Sequence, residues 1–242
     1  LPQGFLSPVL LSVYTNNIRC HSERMALYKY ADDMALVASV KTSEDLSKYQ
    51  QAVSNLVQTF GDFHLGLNIS KTKEMCCGAV SEADTSLFKP LSIQGQPVEQ
   101  VQSFRYLGTE IDDHLSFANH SNGVYKKALQ RLHLLRKLRA LNVNKDILTI
   151  VYKSLIESIL TFNITAWYNF LTVKNKTQLS RIVKLGSKIT GSPQIPLSVL
   201  HERAAHRKAT LISADSTHPL NPHFQLLPSG RRYSSIVQER CL

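Results

Sequence analysis

Leu27–Ser39 reads LYKYADDMALVAS, and it decides how the rest of the chain is understood. Two apolar runs rich in strand formers flank adjacent carboxylates, Asp32 and Asp33. Neighbouring acids repel each other and do not belong inside a buried strand. They therefore sit at an exposed turn or are held by something positive. Leu27, Tyr28 and Tyr30 before the pair, with Met34, Leu36 and Val37 after it, predict strand, turn and strand. Such a hairpin carries both acids at its tip. Asp is ordinary at a turn. The same arrangement suits a divalent cation, because Mg²⁺ takes oxygen ligands and needs few protein carboxylates. Two such ions about 4 Å apart can activate a 3′-hydroxyl and stabilise a departing pyrophosphate. Ala31 would leave room beside the acids for a primer end.

Working outward, the apolar stretch from Pro8 to Tyr14 predicts a helix with Pro8 in its first turn. From Ser43 to Phe63, Leu46, Tyr49, Val53, Leu56, Val57, Phe60 and Phe63 recur at three- and four-residue steps. That spacing predicts an amphipathic helix with Ser43 as N-cap and Glu44 and Asp45 in its first turn. LGLNISKTKEMCCGA (65–79) reads as a turn and a short strand that holds Cys76 and Cys77. LSIQGQPVEQVQSFRYLGTEI (91–111) reads as two or three short strands turning around Gln94–Pro97. Beyond Leu115 the pattern is helical. Phe117–Leu141 places Val124, Ala128, Leu132, Leu135 and Leu138 on one face. Lys126, Lys127, Arg131, Arg136, Lys137 and Arg139 occupy much of the remainder, with no acid among them. Asn144 can cap a second helix carrying Ile147, Leu148, Val151, Leu155 and Ile159. A third is expected over Lys174–Ile189, and a shorter one over Leu197–Leu211 after Pro193 and Pro196. The expected organisation is α+β: mixed structure over 1–115, a basic helical unit over 116–212, and a poorly ordered tail over 213–242.

The balance of 28 basic against 18 acidic residues leaves a net charge of +10, which suits a polyanion such as nucleic acid. Cys20, Cys76, Cys77 and Cys241 show no spacing typical of zinc ligands and no disulfide framework. No apolar run reads as long enough to cross a bilayer, and no signal peptide is evident. No membrane partner is expected, and the expected location is intracellular, in nucleus or cytoplasm. The chain opens on LPQGFLSP without Met, so it is expected to be a piece of something longer.

Four stretches together resemble the reverse transcriptases of non-long-terminal-repeat (LINE-type) retrotransposons. LPQGFLSPVLLSVYTNN resembles their segment after the first catalytic strand, and KYADDMALVAS their catalytic hairpin. LGLNISKTKEM resembles the following motif, whose lysine lies near the incoming triphosphate, and FRYLGTEID the primer-grip hairpin. KKALQRLHLLRKL, IVYKSLIESIL and AWYNF resemble the helical thumb. The motifs keep the family order over most of the chain. The resemblance implies a C-terminal fragment of an RNA-directed DNA polymerase, a partial palm followed by a thumb. It implies Mg²⁺ or Mn²⁺ as cofactor, with RNA template and DNA primer as partners. Asp32 would be the main metal ligand, with Asp33 beside it. Tyr30 would pack near the primer terminus, and Gln3 and Gly4 against the incoming nucleotide or template. Lys71 would be the acid for pyrophosphate departure, although a solvated turn lysine is an equal reading. Phe104, Tyr106, Leu107 and Gly108 would shape the primer grip, where plain strand packing also accounts for Phe104 and Leu107. The basic face from Lys126 to Arg139 would meet duplex phosphates; otherwise it is a solvated helix surface.

Two departures bear on activity. The family needs another aspartate upstream of Pro-Gln-Gly, a region this sequence does not include. It also has two residues between PQG and LSP, where this chain has only Phe5. The isolated chain is therefore expected to be inactive. Two rival readings remain. One is a non-catalytic nucleic-acid-binding remnant. The other follows from a likeness between about Phe104–Tyr168 and the N-terminal region of AlkB-homologue (homologue 8) DNA-repair proteins. That likeness would imply dioxygenase or methyltransferase chemistry. A non-haem iron site needs two His and a carboxylate. No His-x-Asp occurs, His21–Glu23 is the only His-x-Glu, and no glycine-rich loop suits S-adenosylmethionine.

Overall fold

A computed structural model describes residues 7–20, 24–78, 91–230 and 233. Gln3, Gly4, His21–Glu23 and Cys241 lie outside these residues. The chain is mixed helix and strand, in two compact units, Leu1–Phe104 and Arg105–Leu242.

In the first unit, helix α1 (Ser7–Tyr14) precedes the hairpin of β1 (Met25–Tyr30) and β2 (Asp33–Ala38). The pairing is antiparallel, with Leu27 opposite Leu36 and Tyr30 opposite Asp33. Alternation along each strand then puts Tyr28, Tyr30, Asp33 and Val37 on one face, all exposed. Met25, Leu27, Met34 and Leu36 form the half-buried face.

Helix α2 spans Ser43–Asp62, one residue from the expected range at its end. Its N-cap is Thr42, not Ser43. Thr42 Oγ1 accepts from the Asp45 N–H at 3.1 Å, and Asp45 Oδ2 accepts from the Thr42 N–H at 3.1 Å. Only the residue three before Asp45 can close this reciprocal box, so the spacing overrules the equally suitable Ser43. Arg24 adds an ion pair to Asp45 at 2.9 Å. The Lys41 N–H bond is foremost in holding the Asp45 carboxyl below its usual range, with Thr42 and Arg24 adding to it against burial.

After α2 the strands are shorter and more numerous than expected. They are β3 (Lys73–Glu74), β4 (Ser92–Ile93), β5 (Gln96–Pro97) and β6 (Glu99–Gln100). β3 pairs parallel with β6, and β4 antiparallel with β5 around Gln94–Gly95. Both loop residues have positive φ, 52° and 78°, as a two-residue hairpin loop demands. Cys76 and Cys77 fall beyond β3 rather than within a strand. The pairing stops at Glu74, whose carboxylate instead accepts from the Gln100 side chain at 3.0 Å. Leu91, Ile93 and Val98 form a small core against Tyr49, Val53 and Val57 of α2.

The second unit begins within the hairpin of β7 (Ser103–Tyr106) and β8 (Thr109–Asp112). Its helices are α3 (Ala118–Ala140), α4 (Lys145–Tyr152), α5 (Ser158–Thr161), α6 (Ile164–Trp167), α7 (Val173–Thr190) and α8 (Leu197–Ala214). A π-helical stretch, Lys153–Glu157, joins α4 to α5. Asn144 caps α4 as expected, its side chain accepting from the Asp146 N–H at 3.0 Å. The buried line along α4–α5 is Leu148, Tyr152, Ile156 and Leu160, at four-residue steps. Ile147, expected on that face, is exposed. α8 runs three residues past its expected end.

α3 and α7 run in the same direction. Asn175 Nδ2 donates to Ser121 Oγ at 2.7 Å near their starts, and Arg139 donates to the Ile189 carbonyl near their ends. Where α7 meets α4, Gly186 has no side chain. A Cβ there would lie 2.2 Å from the Tyr152 ring, so only glycine permits this approach.

Contrary to the sequence expectation, Lys145–Phe170 is long and apolar enough to span a bilayer by length and composition. Leu148, Ile156, Leu160, Ile164 and Trp167 of this segment are buried in the helical core. Its helix also breaks at Asn163, which takes a left-handed φ of 50°.

Candidate functional site

The hairpin tip is built as the sequence requires. A two-residue loop, Ala31–Asp32, joins Tyr30 to Asp33, and both acids are exposed. Asp33 opens β2 and shares the exposed face with Tyr30, which is 64% accessible. Asp32 occupies the loop itself. Ala31 has φ of 51°, a left-handed conformation that costs a residue with a Cβ about 1 kcal/mol. The strain therefore sits beside the acid pair.

Lys29 is a contributor that sequence reading did not single out. It lies on the opposite face of β1 from Tyr30. Its ammonium donates to the carbonyls of Thr15 at 2.6 Å and Ile18 at 3.0 Å, just past the C-terminus of α1. Cations are favoured at that end of a helix. This bond set ties the acid-bearing hairpin to the segment after α1. Partial burial, with Arg19 nearby, lowers the Lys29 pKa. A lysine one residue before the tip signals nothing by itself, because its acceptors lie eleven to fourteen residues upstream.

Lys71 sits exposed on a separate turn. Its backbone N–H donates to the Asn68 side chain at 3.1 Å. Lys73, two residues on, is paired with Glu99 at 2.5 Å.

In the second unit, Tyr106 and Thr109 flank a loop of Leu107 and Gly108, with φ of 45° and 85°. The Phe162 ring comes 3.2 Å from where a Gly108 Cβ would stand. Asn163 Nδ2 donates to Thr109 Oγ1 at 3.1 Å. The hairpin end is thus braced by the break between α5 and α6.

The six basic residues of α3 separate into two sets. Lys126, Lys127, Arg136, Lys137 and Arg139 are exposed and Arg131 is half-buried. Arg131 donates to the Leu155 carbonyl inside the π-helical stretch, and Arg139 to Ile189 at the end of α7. Both lie four residues from the fully buried Leu135, which puts them beside the core stripe. That spacing was visible in the sequence. Lys126, Lys127, Arg136 and Lys137 are left for solvent or a partner.

Two adjacent, exposed carboxylates fit Mg²⁺ or Mn²⁺ as a partial ligand set, since Mg²⁺ is held through one or two carboxylates plus substrate phosphates. Among the described residues, no group of three or more His, Cys, Asp or Glu is placed to hold a metal.

Comparison with known proteins gives the class first. Residues 1–111 match the family model for reverse transcriptase (RNA-dependent DNA polymerase). The relatives narrow it. The chain is 27% identical over 57% of its length to a probable RNA-directed DNA polymerase from transposon BS of Drosophila melanogaster, covering 16% of that protein. It is 22% identical over 80% of its length to the RNA-directed DNA polymerase from mobile element jockey of the same species, covering 22% of it. It is 22% identical over 70% of its length to a Pol polyprotein from type-1 retrotransposable element R1 2 of Nasonia vitripennis, covering 43%. These matches show the chain to be related to the reverse transcriptases of LINE-type retrotransposons, and to span less than half the length of these three relatives. Residues 118–158 match the N-terminal model of alkylated DNA repair protein alkB homolog 8. No solved structure matches the chain.

Proposed function

We propose that this chain carries the acid-bearing hairpin and the thumb of an RNA-directed DNA polymerase. The observation that supports it most is the exposure of Asp32 and Asp33 together at a strained two-residue loop, beside exposed Tyr30. Asp32, with Asp33, would hold Mg²⁺ or Mn²⁺, which supplies charge stabilisation for the transferring phosphoryl group. Tyr30 would pack against the primer terminus, with Gln3 and Gly4 against the nucleotide or template. Lys71 would deliver positive charge or a proton to the departing pyrophosphate. Tyr106 and Gly108 would shape the primer-holding hairpin. Lys126, Lys127, Arg136 and Lys137 would contact phosphates, while Arg131 and Arg139 would act by holding the helices that present them.

The chain alone is proposed to bind primer and template without extending the primer, because the described residues offer only a partial carboxylate set. Primer extension with Mg²⁺ or Mn²⁺, comparing the chain with Asp32→Ala, tests this. The expected result is binding without extension. Template-dependent synthesis that vanishes in Asp32→Ala would overturn the inactivity and keep the residue assignment. Absence of any primer–template binding would overturn the assignment itself.

A second reading, nucleic-acid binding without catalysis, is favoured by where the charge lies. Residues 116–214 hold sixteen Lys and Arg against three acids, Asp146, Glu157 and Glu202. The remainder of the chain is net acidic. The likeness to alkB homolog 8 falls on helices α3 and α4 and their continuation. Those residues form the core strips and basic face already described, so it adds no separate chemistry.

A further inference from the structure

Helix α7 carries five bases and no acid. Lys176 turns toward the bundle, where its ammonium lies 5.2 Å from the centre of the Tyr168 ring and 3.4 Å from the Asn169 carbonyl. The other four, Lys174, Arg181, Lys184 and Lys188, are all exposed. Their steps of seven, three and four residues place them on one line. No described carboxylate forms an ion pair with any of them. Like charges at three- and four-residue steps repel, and nothing on this helix offsets that repulsion.

The opposite side of α7 holds Leu179, Ile182, Val183 and Ile189 in the core. Apart from Val173 at its first position, no apolar residue of α7 is left exposed to enter a bilayer. What remains is a rigid rod with four cations spread over about 21 Å. Such a line complements a partner whose negative charge is also linear and closely repeated, as in a nucleic-acid backbone.

We infer that the outer line of α7 is a phosphate-contacting surface for nucleic acid, distinct from the α3 face. It deepens the nucleic-acid side of the proposed function and needs no catalysis. The test is binding of the full chain to a fluorescent RNA–DNA hybrid over a range of salt concentrations. The variant Lys174→Gln/Arg181→Gln/Lys184→Gln/Lys188→Gln is compared with Lys126→Gln/Lys127→Gln/Arg136→Gln/Lys137→Gln. Each lost phosphate contact lowers the log–log salt slope by about 0.9. The α7 variant is expected to lose about three units of slope and at least tenfold in affinity near 0.1 M salt, with an unchanged melting temperature. Should the fourfold variant fold poorly, the single substitutions are each expected to lower the slope by about 0.9.

An unchanged slope in the α7 variant, with a fall in the α3 variant, overturns this inference and leaves the proposed function standing. Loss in the α7 variant alone upholds the inference and overturns the phosphate role of α3. A wild-type chain that binds phosphatidylserine vesicles through these lysines, and not the hybrid, overturns the inference.

Discussion

The two units solve the problem of stability by different means. The second buries a continuous core from Phe117 to Leu197, including Trp167, Tyr152 and Ile156 at no more than 1% exposure. The first has a core of Leu91, Ile93 and Val98 against one helix, and relies on caps and ties: Thr42–Asp45, Arg24–Asp45 and Lys29 on the end of α1. Among the described residues, the unit carrying the proposed chemistry is thus the one with the smaller buried core.

Breaking the second unit gives the largest effect. Trp167→Ala removes a fully buried ring whose Nε1 donates to the Phe162 carbonyl at 3.0 Å. It is expected to cost about 3–5 kcal/mol by urea unfolding. Gly186→Ala, which drives a methyl into Tyr152, is expected to cost about 1–3 kcal/mol. A change under 0.5 kcal/mol in both would contradict the described packing.

The next test sharpens the division within α3. Arg131→Gln loses a charged bond to a half-buried carbonyl and should cost about 1.5 kcal/mol or more. Lys126→Gln should stay within about 0.5 kcal/mol. Equal losses would mean that the six bases form one face after all.

In the first unit, Thr42→Ala removes half of the capping box and is expected to cost about 1 kcal/mol. Thr42→Ser should recover most of that, because the acceptor oxygen is retained. Indifference to both would place the stability of α2 elsewhere.

The smallest effect is a pH dependence confined to the second unit. His120 is buried against Trp167, and its Nδ1 accepts from the Glu110 N–H at 3.3 Å. Its Nε2 finds no partner among the described residues. Burial, then Lys127 and Arg105, lower its pKa. The unfolded chain therefore takes up the proton first, and stability should fall as pH drops below about 6.5. Below the folded pKa the loss is complete. His201, lowered by burial and by Lys176, adds to the same slope. His120→Phe should flatten, without abolishing, the fall in urea midpoint between pH 7.5 and 5. An unaltered slope would remove His120 as a cause.

Much of this was legible from residue spacing. The hairpin with its acids at the tip, the cap at Asn144 and the stripe Val124–Ala128–Leu132–Leu135 follow from local periodicity, which the backbone must obey whatever surrounds it. The misses have physical causes. Thr42 and Ser43 are chemically equivalent caps, and only the reciprocal bond with Asp45 separates them. Ile147 and Leu148 are equivalent apolar residues, and the choice between them depends on where Tyr152 meets Gly186.

By itself, then, the sequence determined the acid-bearing hairpin, the long helices, the excess of positive charge in the helical half and the similarity to reverse transcriptases. Tertiary structure alone decided that Lys29 ties the hairpin to α1, that Arg131 and Arg139 bind carbonyls, and that four α7 bases face outward together. Local structure depends on neighbours a few residues apart. Partners eleven to fifty residues apart are chosen only when the chain packs.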